Sequence, residues 1–147
     1  PMRGINKIEL LGNLGADPEL RYFPDGTPVA KISLAVSEQW KDKKTNEQRE
    51  RTDWFAVLFT HHLANIVHDK LKKGDTILVW GKMKSRSYPD SKTGLPREVW
   101  EVHADEMHII KTKNRDAQAD EGNPFDDDNY TPPDSAEAID QSDHQYL

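Results

Sequence analysis

A strand that runs straight into a helix, with strands on either side, limits this chain more than any other feature. Residues 51–59, RTDWFAVLF, are rich in the aromatic and β-branched side chains that suit a pleated, half-buried surface. Residues 60–74, THHLANIVHDKLKKG, carry Leu63, Ile66, Val67 and Leu71 at helical spacing. Lys70, Lys72 and Lys73 gather near the end of this segment, and Gly74 stands where a C-terminal cap belongs. Everything before it reads as strands, and so does everything after it until about Lys111.

Residues 5–14 make a first strand of mixed alternation, closed by a turn at Gly15-Ala16-Asp17-Pro18. Residues 19–23 are a short extended piece before the turn residues Pro24-Asp25-Gly26-Thr27-Pro28. Residues 29–36 then alternate, with Ala30, Ile32, Leu34 and Val36 as the core face and Trp40 beyond the far end. Residues 41–50, KDKKTNEQRE, hold no apolar side chain and read as a solvated hairpin loop or as a basic finger that closes over a ligand. In the third strand, period two sets Phe55, Val57 and Phe59 on the core face and turns Trp54 outward with Ala56, Leu58 and Thr60.

The fourth strand, residues 76–88, separates Ile77, Val79, Gly81, Met83 and Ser85 from Leu78, Trp80, Lys82, Lys84, Arg86 and Tyr88. The second face interleaves cations with aromatics and contains no acid, which suits a surface for phosphates and unpaired bases better than a plain solvated face. Trp80, nearest the helix, suits either that surface or the core. Residues 89–96 form a turn-rich loop. Residues 97–110 return as the last strand, where Trp100 shares a parity with Val102 and Ala104 and is expected to be packed. One helix among about five strands, between the third and the fourth, is the plan of an all-β, five-stranded OB-fold barrel, a binding module.

Composition divides the chain in two. Residues 1–112 hold 18 Lys and Arg against 16 Asp and Glu, a net of +2, and are read as the folded domain. Residues 113–147 hold 2 against 10, a net of −8, and are read as an acidic, disordered tail with too few apolar residues to fold alone. A mildly basic domain with an acidic arm suits a partner that is a polyanion. The absence of cysteine excludes disulfides, thiolate metal sites and a Cys nucleophile. No apolar run nears the ~20 residues of a membrane span, and the start has no signal-peptide core, so a soluble, cytoplasmic protein is expected.

Together, RGINKIELLGNLGADPELRY, VAKISLAVSEQW, TDWFAVLF and LKKGDTILVWGKMKSRSY resemble the bacterial single-stranded DNA-binding proteins over residues 3–110, most specifically through the GNLG-x-DPE block. The resemblance implies an OB-fold protomer, a homotetramer and sequence-independent binding of single-stranded DNA in replication, recombination and repair. It implies stacking positions at Trp40, Trp54 and Tyr88 and backbone-contacting cations at Arg3, Arg21, Lys43, Lys73 and Arg86, with Lys7, Arg49, Lys82 and Lys84 as additions. It implies no cofactor.

The chain departs from that family in two places. Thr60 stands where a further stacking aromatic is usual, Phe59 falls on the core parity, and His61-His62 replace the usual Gly-Lys. The family's acidic tip, closed by Pro-Phe, recruits replication and repair proteins. Here Asn123-Pro124-Phe125 precedes Asp126-Asp127-Asp128, and the chain ends His144-Gln145-Tyr146-Leu147. Partner recruitment by the usual route is therefore in question, and a mobile-element copy would suit the divergence.

Other chemistries have less to stand on. His61, His62, His68, His103 and His108 lack the spacing of a metal site. No phosphate-cradling glycine loop or nucleophile elbow is present, so the chain is read as a non-enzyme. Asp17, Glu19 and Asp25 are the only compact carboxylates on which a metal-dependent nuclease would rest, and turn chemistry explains them. The competing class is an OB-fold adaptor of replication restart that uses its sheet on protein or on other nucleic acid, and salt sensitivity separates the two.

Overall fold

The computed structural model describes residues 1–113. Strands β1 (Ile8–Leu14), β2 (Glu19–Tyr22), β3 (Pro28–Lys41) and β4 (Gln48–Thr60) precede helix α1 (His62–Lys70), and β5 (Thr76–Pro89) and β6 (Pro96–Lys111) follow it. The sheet order is β1-β5-β6-β4-β3-β2, and an extra β1–β3 pairing joins the ends of the five long strands into a closed barrel. The short β2 is the extended piece expected at residues 19–23; it lies along the first residues of β3, from Glu19↔Lys31 to Tyr22↔Pro28. The barrel is thus the five-stranded OB-fold with one helix that the strand plan implied.

Alternation settles what is inside. Leu10 and Leu14 of β1, Ala30, Ile32 and Leu34 of β3, Val57 and Phe59 of β4, Ile77 and Val79 of β5, and Val102 of β6 converge on one core. Phe59 is fully buried in it, which fixes its role as packing and leaves Thr60 on the opposite side. The helix closes one end with Ala64 and Val67, and Leu71 completes the plug. Its C-terminus differs from the expectation: Leu71, already extended, is the cap residue. Gly74, at φ +91, instead serves the turn into β5. There Lys72 N–H donates to the buried Asp75 carboxylate at 2.9 Å, and Asp75 N–H donates back to Lys72 C=O at 3.1 Å.

Two strands need a missing Cβ. A Cβ on Gly12 would lie 2.3 Å from Ala35 O, and one on Gly81 would lie 2.3 Å from His103 O. Gly81 also sits at a shift in the β5–β6 register, where a bulge bends the sheet around the barrel. Among the described residues no helix is long and apolar enough to cross a membrane. The tail expected from residue 113 onward lies outside the described residues, apart from Lys113, whose N–H donates to Asp75 at 2.8 Å.

His61 joins β4 to α1 at φ 58, ψ −137, a region that side chains disfavour and glycine tolerates. Its N–H is held by Pro28 C=O at 3.0 Å, a bond that glycine would keep. His61→Gly is therefore expected to stabilise the domain by about 1 kcal/mol, read as a higher denaturation midpoint in urea with an unchanged slope.

Candidate nucleic-acid interface

Two hairpins outgrow the barrel. The β3–β4 ladder runs without a break from Val29↔Thr60 to Lys41↔Gln48, and the upper β5–β6 ladder from Gly81↔Ala104 to Pro89↔Pro96. Because β4 and β6 are parallel neighbours at Val57↔Val102 and Leu58↔His103, both hairpins leave the barrel in the same direction. The loop expected over residues 41–50 is accordingly shorter, with strand resuming at Gln48.

The two tips are built alike. At the first, Asp42 Oδ1 accepts from Lys44 N–H at 2.8 Å and Thr45 N–H at 3.4 Å, and Asn46 takes φ 62. At the second, Asp90 Oδ1 accepts from Lys92 N–H at 2.8 Å and Thr93 N–H at 3.3 Å, and Gly94 takes φ 70. Arg49 and Arg97 each approach the turn aspartate of their own tip at 3.6 Å. The local code Asp-x-Lys-Thr followed by a left-handed residue thus folds twice into the same turn, presenting the Lys43-Lys44 pair and Lys92 at its ends. Lys92 was legible only once the second tip was seen to copy the first.

Residues facing each other across a ladder share a side of the sheet. One side carries Trp54, His103, Lys82, Lys84, Arg86 and Tyr88, joined through Leu58↔His103, Lys82↔His103, Lys84↔Glu101 and Arg86↔Val99. Trp54 is half-buried, while Lys82 and Lys84 are exposed. Arg86 is held: its Nε donates to Glu101 Oε1 at 3.1 Å, and its guanidinium carbon lies 5.3 Å from the centre of the Tyr88 ring. Glu101 is 1% exposed and Tyr88 only 5%. The strand that looked free of acid therefore receives one from β6, which reading one strand at a time could not find. Tyr88 lies beneath a cation rather than open to water.

The remaining candidates are spread around the domain. Trp40 is 45% exposed, near the first tip, on the opposite side from Trp54. Arg49 lies between Asp42 and Glu47, and Arg21 is bonded to Glu19 at 2.7 Å. Lys73 sits beside the turn into β5, its N–H donating to Asp17 at 2.8 Å. Asp25, a third turn carboxylate, accepts from Thr27 N–H at 2.9 Å, which holds it below its usual range. Lys7 lines an open cavity of about 380 Å³ with Ile8, Glu9, Trp80, Gly81 and Asp105. Arg3 is exposed; Asn6 follows it and brackets Met83 through its side chain, donating to Met83 O at 2.7 Å and accepting from Met83 N–H at 3.1 Å. Trp80 is half-buried, donates from Nε1 to Glu9 Oε2, and meets His108 edge-on at 5.1 Å. Trp100 contradicts the expectation of packing: it is 58% exposed, because its parity leads into the core only as far as Val102 and the hairpin then runs past the barrel.

His103 reports the field of this surface. Burial first, and then the nearby charges of Lys84 and Arg86, hold its imidazole below the usual histidine range. The unfolded chain therefore takes up this proton before the folded one does, and the folded state loses stability as pH falls through 6.5. Melting temperatures of the parent and His103→Gln between pH 7.5 and 5 are expected to diverge, the variant losing less.

Comparison with known proteins places this geometry. The sequence profile of the Single-strand binding protein family matches residues 5–110. Single-stranded DNA-binding protein 1 of Xylella fastidiosa is 43% identical over 134 residues, spanning 88% of this chain and 98% of its own. Among solved structures, a Plasmodium falciparum SSB in complex with single-stranded DNA superposes with a TM-score of 0.65 at 28% identity, over 77% of this chain and 99% of its own. With its barrel, paired hairpin arms and outward Trp54 beside a stripe of lysines, the chain belongs to the single-strand binding protein family.

Proposed function

We propose that this protein binds single-stranded DNA without reading its sequence and protects it during replication, recombination and repair, as a binding protein with no catalytic step of its own. The observation that carries the reading is the shared sheet side on which Trp54 stands with Lys82, Lys84 and Arg86. Lysines neutralise phosphates wherever the backbone runs, and an indole face accepts any unpaired base. Paired bases, stacked within a duplex, present no free face to Trp54 or to Trp40, so single strands are preferred. Arg3, Lys7, Arg21, Lys43, Arg49 and Lys73 extend the phosphate-contacting set around the domain.

Trp54→Ala is expected to weaken binding to every base composition by ~1–3 kcal/mol, and the logarithm of affinity to fall linearly with that of salt concentration. Titrating the protein with oligo-dT at low and high salt, by tryptophan fluorescence, checks both: saturable quenching that weakens with salt supports the reading. A folded protein whose emission ignores DNA overturns it and leaves the adaptor alternative.

Assembly as a homotetramer is part of the same reading. Leu11 and Ile110 are 55% and 56% exposed. Leu11 adjoins the half-buried Leu78 across β1–β5, on the side of the sheet that carries Trp80. β1 meets β3 only at Asn13 and Leu14, which leaves its earlier residues with an edge that a second copy can pair. Leu11→Glu is expected to lower the mass measured by sedimentation equilibrium, and an unchanged mass would place the interface elsewhere.

A further inference from the structure

We propose that Trp100 is a further base-stacking platform, on the side of the hairpin arms opposite to Trp54 and the lysine stripe. The inference rests on the single-stranded DNA reading above.

Trp100 pairs with Ser85 and is 58% exposed. It lies on the core side of the sheet, yet the core ends at Val102, two residues nearer the barrel. Both flanks leave the indole uncovered. On one, the register Val57↔Val102, continued by two residues, brings Phe55 level with it; Phe55 turns into the core. On the other, the register Ile8↔Gly81, continued along the segment that Asn6 pins to Met83, sets Gly4 level with Ser85. Gly4 has no side chain, and a Cβ built there would meet nothing within 4 Å, so this segment does not cover the ring. A buried Trp removes ~150–250 Å² from water, and an indole left out of the core forgoes most of that gain unless a ligand covers it.

The position suits a base rather than a phosphate. Trp40, 45% exposed, stands on the same side, and its partner Arg49 is six residues along β4 from Phe55, ~20 Å at strand rise. Two open indoles thus face one way from adjacent arms. The charges between them are mixed: Arg49 and Arg51 stand among Glu38, Asp53 and Glu98, and Arg51 bonds Asp53 at 3.1 Å. Without a cation excess, what this side offers a single strand is an aromatic face. Trp100 therefore adds affinity through stacking, with little share in counterion release.

Two measurements on the full chain test this. Fluorescence anisotropy with labelled oligo-dT is expected to show Trp100→Ala binding about 5- to 150-fold more weakly, with the salt slope unchanged and most affinity restored by Trp100→Phe. A protein with Trp100 as its sole tryptophan (Trp40→Phe, Trp54→Phe, Trp80→Phe) is expected to be quenched by the same DNA. If the unmodified protein binds and Trp54→Ala weakens it while Trp100→Ala binds equally well, the proposal is overturned and the single-stranded DNA reading stands. If the unmodified protein fails to bind, both fall. A change in sedimentation mass for Trp100→Ala, without quenching of the sole-tryptophan protein, would assign the ring to contact between copies and overturn the proposal as well.

Discussion

Closure of the barrel rests on a contact only two residues wide, where Asn13 and Leu14 of β1 reach β3 at Ala35 and Leu34. Backbones come close enough there that Gly12 has no room for a Cβ beside Ala35 O. The same junction is tied to the turn before β5: Leu14 N–H donates to Asp75 C=O at 3.0 Å, and Gly74 N–H donates to Leu14 C=O at 2.8 Å. Asn13 adds its side-chain bond to Thr76 Oγ1 at 2.7 Å. Asp75, fully buried, uses its carboxylate on the backbone N–H groups of Lys72 and Lys113, drawing the end of β6 to the same point. A carboxylate that accepts several N–H bonds is well compensated for its desolvation. The strand ends that must meet for a barrel to exist are thereby held at one corner.

What closure frees is as consequential as what it holds. With the core sealed by α1 at one end, the long ladders of β3–β4 and β5–β6 continue beyond it as arms that bury little. Side chains there are selected by what they offer outward. On one side the lysines keep their charge in water, while Arg86 is stiffened by buried Glu101 and by the ring of Tyr88. Such an arginine is held in place and presents a partly neutralised field. Lys82 and Lys84 carry the open charge.

Stacking and charge make different demands, and the architecture separates them. Stacking needs stiff rings on a stiff support, which the paired strands supply. Lys82, Lys84 and the lysines of the two matching tips stand exposed around that support.

Alternation in the sequence by itself determined the barrel's interior. Ala30, Ile32 and Leu34, then Val57 and Phe59, then Ile77 and Val79 fell on the core face because period two puts alternate residues on one side of a strand. The outward placement of Trp54 and of the Lys82–Lys84–Arg86 stripe followed from the same rule. Tertiary structure alone decided how far that rule carries a residue into the core: Trp100 and Val102 share a parity, and only the distance from the barrel's end exposes the first and buries the second. It also decided which neighbours cross strands, since Glu101 meets Arg86 through a pairing that no single strand encodes. Periodicity is a local property of the chain, whereas depth and cross-strand contact depend on where the barrel stops and which strands adjoin.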